Sequence, residues 1–209
     1  MDHWEEVQNQ IWLCDKCKNN PRVECHLRQQ TNASDVRPVR LLVIAIAPPF
    51  RRGLTDKAIA ASALNDPQDT LRLFVERTLE KSWSNLIDQG LFLLHSVKCA
   101  IVPDKDGFQN PPNKVVDLCA SAYLSEEIHI MRPAVILALG STARRAVARY
   151  LGQNKPKDFR VSGPLNGEFA IDMAEQKTRI IVTKFIRGGG KSVAGSALSR
   201  AAKSAGILN

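Results

Sequence analysis

Uninterrupted apolar blocks alternate along this chain with stretches in which apolar residues recur every three or four positions. Leu41-Leu42-Val43-Ile44-Ala45-Ile46-Ala47 is continuous and apolar, the pattern of a strand buried on both faces. Pro48-Pro49 ends it, because proline cannot donate to a ladder and restricts the residue before it. Leu91–Leu94, Ala134–Leu139 and Arg179–Thr183 repeat the pattern, and Glu168–Asp172 is a weaker version. Between these blocks the spacing is helical. It runs through Trp4, Val7 and Ile11; through Leu71, Phe74, Val75, Thr78 and Leu79; and through Val116, Cys119 and Tyr123 within a helix over 113–131. Ala143, Ala146, Val147 and Tyr150 follow the third block, and Ala194, Ala197, Leu198, Ala201, Ala205 and Leu208 form one side of a last helix. Residues 50–69 and 102–112 read as loops. Strands alternating with helices predict a mostly parallel sheet covered on both faces, with four strong strands in a three-layer α/β/α sandwich. Ligands of such sheets bind outside the carboxyl ends of the strands. That directs attention to 47–53, 95–101, 140–142 and 184–192.

The 209 residues fit a single domain, 1–209, long enough to bury a core without disulfides. Residues 1–39 form its N-terminal arm. No apolar run approaches the length of a membrane span. The start, Met1-Asp2-His3-Trp4-Glu5-Glu6, is acidic where a signal peptide is basic and then apolar. A cytoplasmic protein, monomeric and not membrane-bound, is expected. Charge sharpens the picture. The net charge is +8, yet residues 141–209 hold thirteen Lys or Arg against four Asp or Glu, so 1–140 is close to neutral. A basic final third suits a polyanion such as DNA, single-stranded DNA or RNA; the plainer reading is a solvated, soluble face.

Four of the five cysteines form two separated pairs, Cys14-Asp-Lys-Cys17 and the distant Cys99 and Cys119. A C-x-x-C brings two thiols within one turn of chain, and two more would complete the ligand set of a structural zinc or a [4Fe–4S] cluster. Redox or structural thiols are the alternative, and Cys25 reads as a spare. The segment Lys184-Phe185-Ile186-Arg187-Gly188-Gly189-Gly190-Lys191-Ser192 leads into the last helix. Its glycines permit close approach of a phosphate, and the helix start favours an anion. It is not a nucleotide-hydrolysing P-loop, which needs glycine where Phe185 stands. Gly140-Ser141-Thr142, followed by Arg144 and Arg145, is a second candidate phosphate site, with Ser141 and Arg144 as contacts.

These anchors, in this order, resemble the uracil-DNA glycosylase superfamily, and most closely its iron–sulfur members. Cys14-x-x-Cys17 comes first. Ala47-Pro48 stands where the family has Gly-Glu-Ala-Pro-Gly. Leu73-Phe74-Val75 is similar to a Pro-Phe-Val that carries a base-stacking phenylalanine. Val97-Lys98-Cys99 resembles Val-Lys-Cys, and Cys119 with Tyr123-Leu124 resembles the cysteine and Tyr-Leu of the next helix. Arg132-Pro133-Ala134-Val135-Ile136-Leu137-Ala138-Leu139-Gly140 resembles the strand that enters a helix through Leu-Gly. The resemblance implies that Cys14, Cys17, Cys99 and Cys119 hold a [4Fe–4S] cluster, with zinc the alternative. It also implies a base pocket of Ala47, Pro48, Phe74, His95 and Phe185, and a 184–192 loop that grips DNA.

The catalytic motifs diverge. The family's base-reading Asn is replaced by His95, its water-positioning turn residue by Ile46, and the histidine after its fourth strand by Phe185. Apolar Ile46 and Phe185 cannot orient water or stabilise a developing anion. His95 is therefore the one candidate catalytic residue, as a donor to a carbonyl of a flipped base. The resemblance implies base excision from DNA through hydrolysis of the N-glycosidic bond, and the departures from its motifs make that excision weak or directed at a damaged or unusual base. A non-catalytic nucleic-acid-binding protein that retains fold and cluster is the alternative, and an unrelated zinc protein the third reading.

Overall fold

A computed structural model describes residues 3–28, 39–48, 69–152, 159, 166–173, 176–186 and 190–209. In chain order the elements are α1 (His3–Trp12), β1 (Val23–Arg28), β2 (Leu41–Ala45), α2 (Thr70–Leu79), α3 (Trp83–Asp88), β3 (Leu91–His95), β4 (Cys99–Ile101), α4 (Asn113–Cys119), a π-helical turn (Ala120–Leu124), α5 (Ser125–Met131), β5 (Val135–Leu139), α6 (Gly140–Leu151), β6 (Asn166–Met173), β7 (Gln176–Thr183) and α7 (Gly190–Ser204). The main sheet has the order β3-β2-β5-β7-β6. Its first four strands are mutually parallel, and β6 joins β7 antiparallel. The expected four-stranded sheet thus gains a fifth, edge strand from the weak 168–172 block. A partly polar segment suits an edge, where one ladder face is unpaired.

Both faces of the sheet are buried, and alternation divides the core in two. Leu42, Ile44, Phe92, Leu94, Ile136, Ala138, Ile180 and Val182 pack beneath α1, α4, α5 and α6. Leu41, Val43, Leu91, Leu93, Val135, Leu137 and Ile181 pack beneath α2, α3 and α7. The three-layer architecture follows directly. Short-range rules set the helix ends: Asp69 caps α2 by accepting from the Leu71 and Arg72 N–H groups, both at 2.9 Å. The helix ends where Glu80 turns left-handed, with φ 52°. Two elements escape the apolar pattern, α3 and the two-stranded β1–β4 sheet, because each is too short to show a period. The 50–69 loop lies outside the described residues except for Asp69.

The predicted helix over 113–131 is continuous but not uniform. Five residues after Cys119 form a π turn, with the Ser125 hydroxyl donating to the Ala120 carbonyl at 2.9 Å. A π turn adds one residue and rotates everything beyond it by about 100° relative to an unbroken α-helix. The rotation moves Glu127 onto the stripe of Cys119, and both side chains are buried. Arg145 on α6 holds this helix from the other side, donating to both Asp117 oxygens at 2.7 and 2.6 Å, with Arg149 adding a third bond at 2.8 Å. No helix among the described residues is long and apolar enough to cross a membrane.

Candidate functional site

The N-terminal arm carries its cysteines to the sheet by packing. Trp4, Val7 and Ile11 are buried along one side of α1. Trp4 meets Phe92 edge-on with ring centroids 6.3 Å apart, and Val7 and Ile11 pack with Tyr123. Tight turns then follow, with Cys14 N–H donating to the Ile11 carbonyl at 3.2 Å and Asn20 N–H to the Cys17 carbonyl at 2.9 Å. The outcome is that Cys14, Cys17, Cys99 and Cys119, none of them in a disulfide, line one small cavity together with Ile11, Lys16, Lys98, Leu118 and Tyr123. The two sequence-distant pairs are thereby brought together. They share a cavity without converging on a point: no three or more His, Cys, Asp or Glu side chains among the described residues already enclose a metal ion. Burial pushes the Cys119 thiol up to about 11, against a backbone hydrogen bond and the positive charge of Lys98. The donor set fits a thiolate-bound centre, since two lysines line the cavity to offset ligand charge and a bound cation would release the thiol protons. Arg22 fastens the arm further, donating to the carbonyls of Val102, Phe108 and Asn110 at 3.1, 3.2 and 3.1 Å. It thus secures the long 102–112 connection between the second pair of cysteines.

The strand tips come next. His95 ends β3 opposite Ala45 of β2. Ser96 then turns the chain: its N–H and its hydroxyl both donate to the Ala45 carbonyl, at 2.9 and 2.7 Å, and Val97 N–H reaches Ile46 at 3.1 Å. Ala47 and Pro48 continue beyond β2 on the same edge of the sheet. Two strands away, Leu139 pairs with Thr183, which sets Gly140 beside Phe185. Gly140 has φ +86°, and a Cβ there would lie 3.2 Å from that of Phe185. His95 is only 5% exposed, and burial, followed by the charge of Lys98, lowers its pKa to about 3. Its imidazole is therefore neutral at physiological pH, a hydrogen-bond donor or acceptor but not a charged acid.

A sequence model of the Uracil DNA glycosylase superfamily matches residues 34–187, a span that runs from before β2 to the end of the sheet. The chain belongs to that superfamily. Among curated proteins no sequence matches it. The tips of β2, β3, β5 and β7 form one edge of its parallel sheet. Of the residues expected in a base pocket, His95 ends β3, Ala47 and Pro48 follow β2, and Phe185 follows β7. Phe74 is different: it lies mid-way along α2, buried in the core with Leu71, Val75 and Leu79, as its helical spacing also allowed. Only part of it lines a groove at the helix surface.

That groove, of about 650 Å³, runs between α2 and α7 and is lined by Thr70, Phe74, Arg77, Lys191, Ser192 and Gly195 among others, with no acidic side chain among the described residues. Lys191 and Ser192 are exposed, as phosphate contacts must be, and so are Lys184 and Ser141. Arg77, which sequence reading missed, joins them; nothing in its helical pattern distinguished it from any solvated arginine. Arg187, Gly188 and Gly189 lie outside the described residues, and Gly190 is buried. Arg144 is corrected outright. It is 1% exposed, with its guanidinium 5.4 Å from the centre of the Phe159 ring, because position 144 falls on the inward stripe of α6. It cannot meet a phosphate.

Proposed function

We propose that this protein binds DNA across its strand tips and the basic α2–α7 groove, admits a flipped nucleobase beside His95, and cleaves the N-glycosidic bond of an unusual base. The observation that carries the reading is a buried, neutral imidazole at the tip of β3 in a uracil DNA glycosylase fold. When the C1′–N bond breaks, the bonding electrons leave with the base, and charge grows on its carbonyl oxygens. A neutral His95 N–H aimed at such an oxygen stabilises that charge in a site from which water is excluded. Water adds its oxygen to C1′ and its proton ends on the departed base. Ile46 and Phe185 orient no water, so turnover is slow compared with an enzyme that has polar groups at those places. Cys14, Cys17, Cys99 and Cys119 would hold a [4Fe–4S] centre, with zinc as the alternative occupant. When bound, it serves as a staple between the arm and the sheet rather than as a reactant.

A second reading, a nucleic-acid-binding protein without chemistry, is favoured by the packing of Phe185. The side chain is half-buried against the α2–α7 core and close to Gly140, an apolar plug where a polar group is wanted. Single-lesion oligonucleotides carrying uracil, hypoxanthine, xanthine or alkylated bases separate the two. Abasic-site formation that disappears in a folded His95→Ala variant is expected. Binding without abasic sites on any substrate would establish the second reading. Purified protein should be brown, with absorbance near about 400 nm and bound sulfide; colourless protein with one zinc would replace the cluster.

A further inference from the structure

Cys99 and His95 are separated by a single bend, and one side chain closes it. The Lys98 ammonium, 4% exposed, donates to the His95 carbonyl at 2.9 Å and forms an ion pair with Glu127, itself 1% exposed. Gln8 on α1 donates to the other Glu127 oxygen at 3.3 Å. The backbone N–H of Lys98 bonds the Cys119 sulfur, and Lys98 also lines the cysteine cavity. So one residue touches the cavity, the helix that bears Cys119, and the carbonyl of the strand-tip histidine.

Such a pair is a poor way to gain stability. Withdrawing two charges from water is costly in general, and a well-packed apolar pair often does as well or better. The π turn makes the arrangement more specific, since without its rotation Glu127 would sit about 80° around the helix from Cys119 instead of on its stripe. The chain thus departs from regular helix geometry to set an acid opposite this lysine.

We propose that Lys98 is a positioning residue that transmits the state of the cysteine cavity to His95. A shift of Cys119 or Cys99 moves the Lys98 backbone; its ammonium, held by Glu127, moves the His95 carbonyl, and Ser96, anchored on Ala45, acts as the fulcrum. The imidazole orientation is thereby tied to whether the cavity is filled and intact. The inference rests on the reading of His95 as the polar group of the base pocket.

The test is a cycle read at the His95 imidazole resonances by NMR in the full chain. Cys119→Ser perturbs the cavity, and it is introduced into the wild type and into Lys98→Met/Glu127→Gln. The double change removes both charges together, which avoids the unpaired buried carboxylate that Lys98→Met alone would leave; melting curves verify that each protein is folded. Cys119→Ser is expected to displace the His95 resonances in the wild-type background and to lose most of that displacement in the neutral-pair background. Equal displacement in both backgrounds, or none in the wild type, overturns the proposal. Metal and sulfide content are measured on the same samples. A metal-free wild type would end the cluster reading while leaving the cycle readable, and abasic-site assays judge the His95 reading separately.

Discussion

Gly190 lies directly against the carbonyl oxygen of Phe185. A Cβ at 190 would overlap that oxygen, and the Lys184 side chain would be 3.3 Å away. The first residue of α7 must therefore be glycine for the chain leaving β7 to fold back over the sheet edge. Gly190→Ala is expected to cost more than about 1 kcal/mol, the usual range when a Cβ meets fixed backbone. A lowered melting temperature with weakened DNA binding is the predicted result. Unchanged melting would mean that the contact between residue 190 and the Phe185 carbonyl relaxes freely.

His95 gives a pH dependence of definite sign. Its folded pKa, about 3, lies below the unfolded value of 6.5, so between these limits the unfolded chain binds the extra proton. Stability contributed at this site is full above about pH 6.5 and falls as pH drops towards 3, by up to about 1.4 kcal/mol per pH unit. Asp117 is held well below the carboxylate range by Arg149 and Arg145. Its stabilisation is lost only below the ordinary carboxylate pKa, so the two windows differ. His95→Gln should flatten the decline between pH 6 and 4 in urea titrations. An identical slope in the variant would mean the imidazole is protonated when folded.

The groove between α2 and α7 predicts two phosphate contacts. Arg77→Ala and Lys191→Ala should each weaken DNA binding to a similar degree on any sequence. Each should flatten the dependence of log K on log salt by about 0.7 to 0.9. Arg144→Met should leave that slope unchanged, because the residue faces Phe159 in the interior. A slope altered by Arg144→Met but not by Arg77→Ala would relocate the interface to the start of α6.

If Cys14, Cys17, Cys99 and Cys119 hold the proposed centre, its removal should unfasten the arm. A ligand bound only by the folded state stabilises by about 4 kcal/mol at a thousandfold excess over its Kd. Prolonged chelation is expected to lower the melting temperature and to expose α1 to proteolysis near Leu13, already 78% exposed. Cys17→Ser should reproduce both effects. Identical melting before and after metal loss would show that packing of Trp4, Val7 and Ile11 alone secures the arm.

Much of this architecture was legible in one dimension. The parallel strands declared themselves because a strand buried on both faces has to be apolar throughout, and the two proline and glycine boundaries of β2 and β5 fall where the ladder must stop. The grouping of Cys14, Cys17, Cys99 and Cys119 could be expected from motif order, yet their number alone left a shared cavity undecided. Arg144 and Phe74 show the opposite case. Each is of the right chemical type, but a step of one residue, about 100° around a helix, separates a surface contact from a core residue, and only packing fixes that phase.

Composition and periodicity alone determined the layers of this protein, the basic bias of its final third and where its strands end, because burial leaves its mark on consecutive residues. Tertiary structure alone decided that Lys98 faces Glu127, that Arg77 meets Lys191 across a groove, and that His95 is withdrawn from water and neutral. Those relations join residues far apart in sequence, and they depend on a π turn, a three-residue bend and the crossing of two helices, none of which has a local pattern to read.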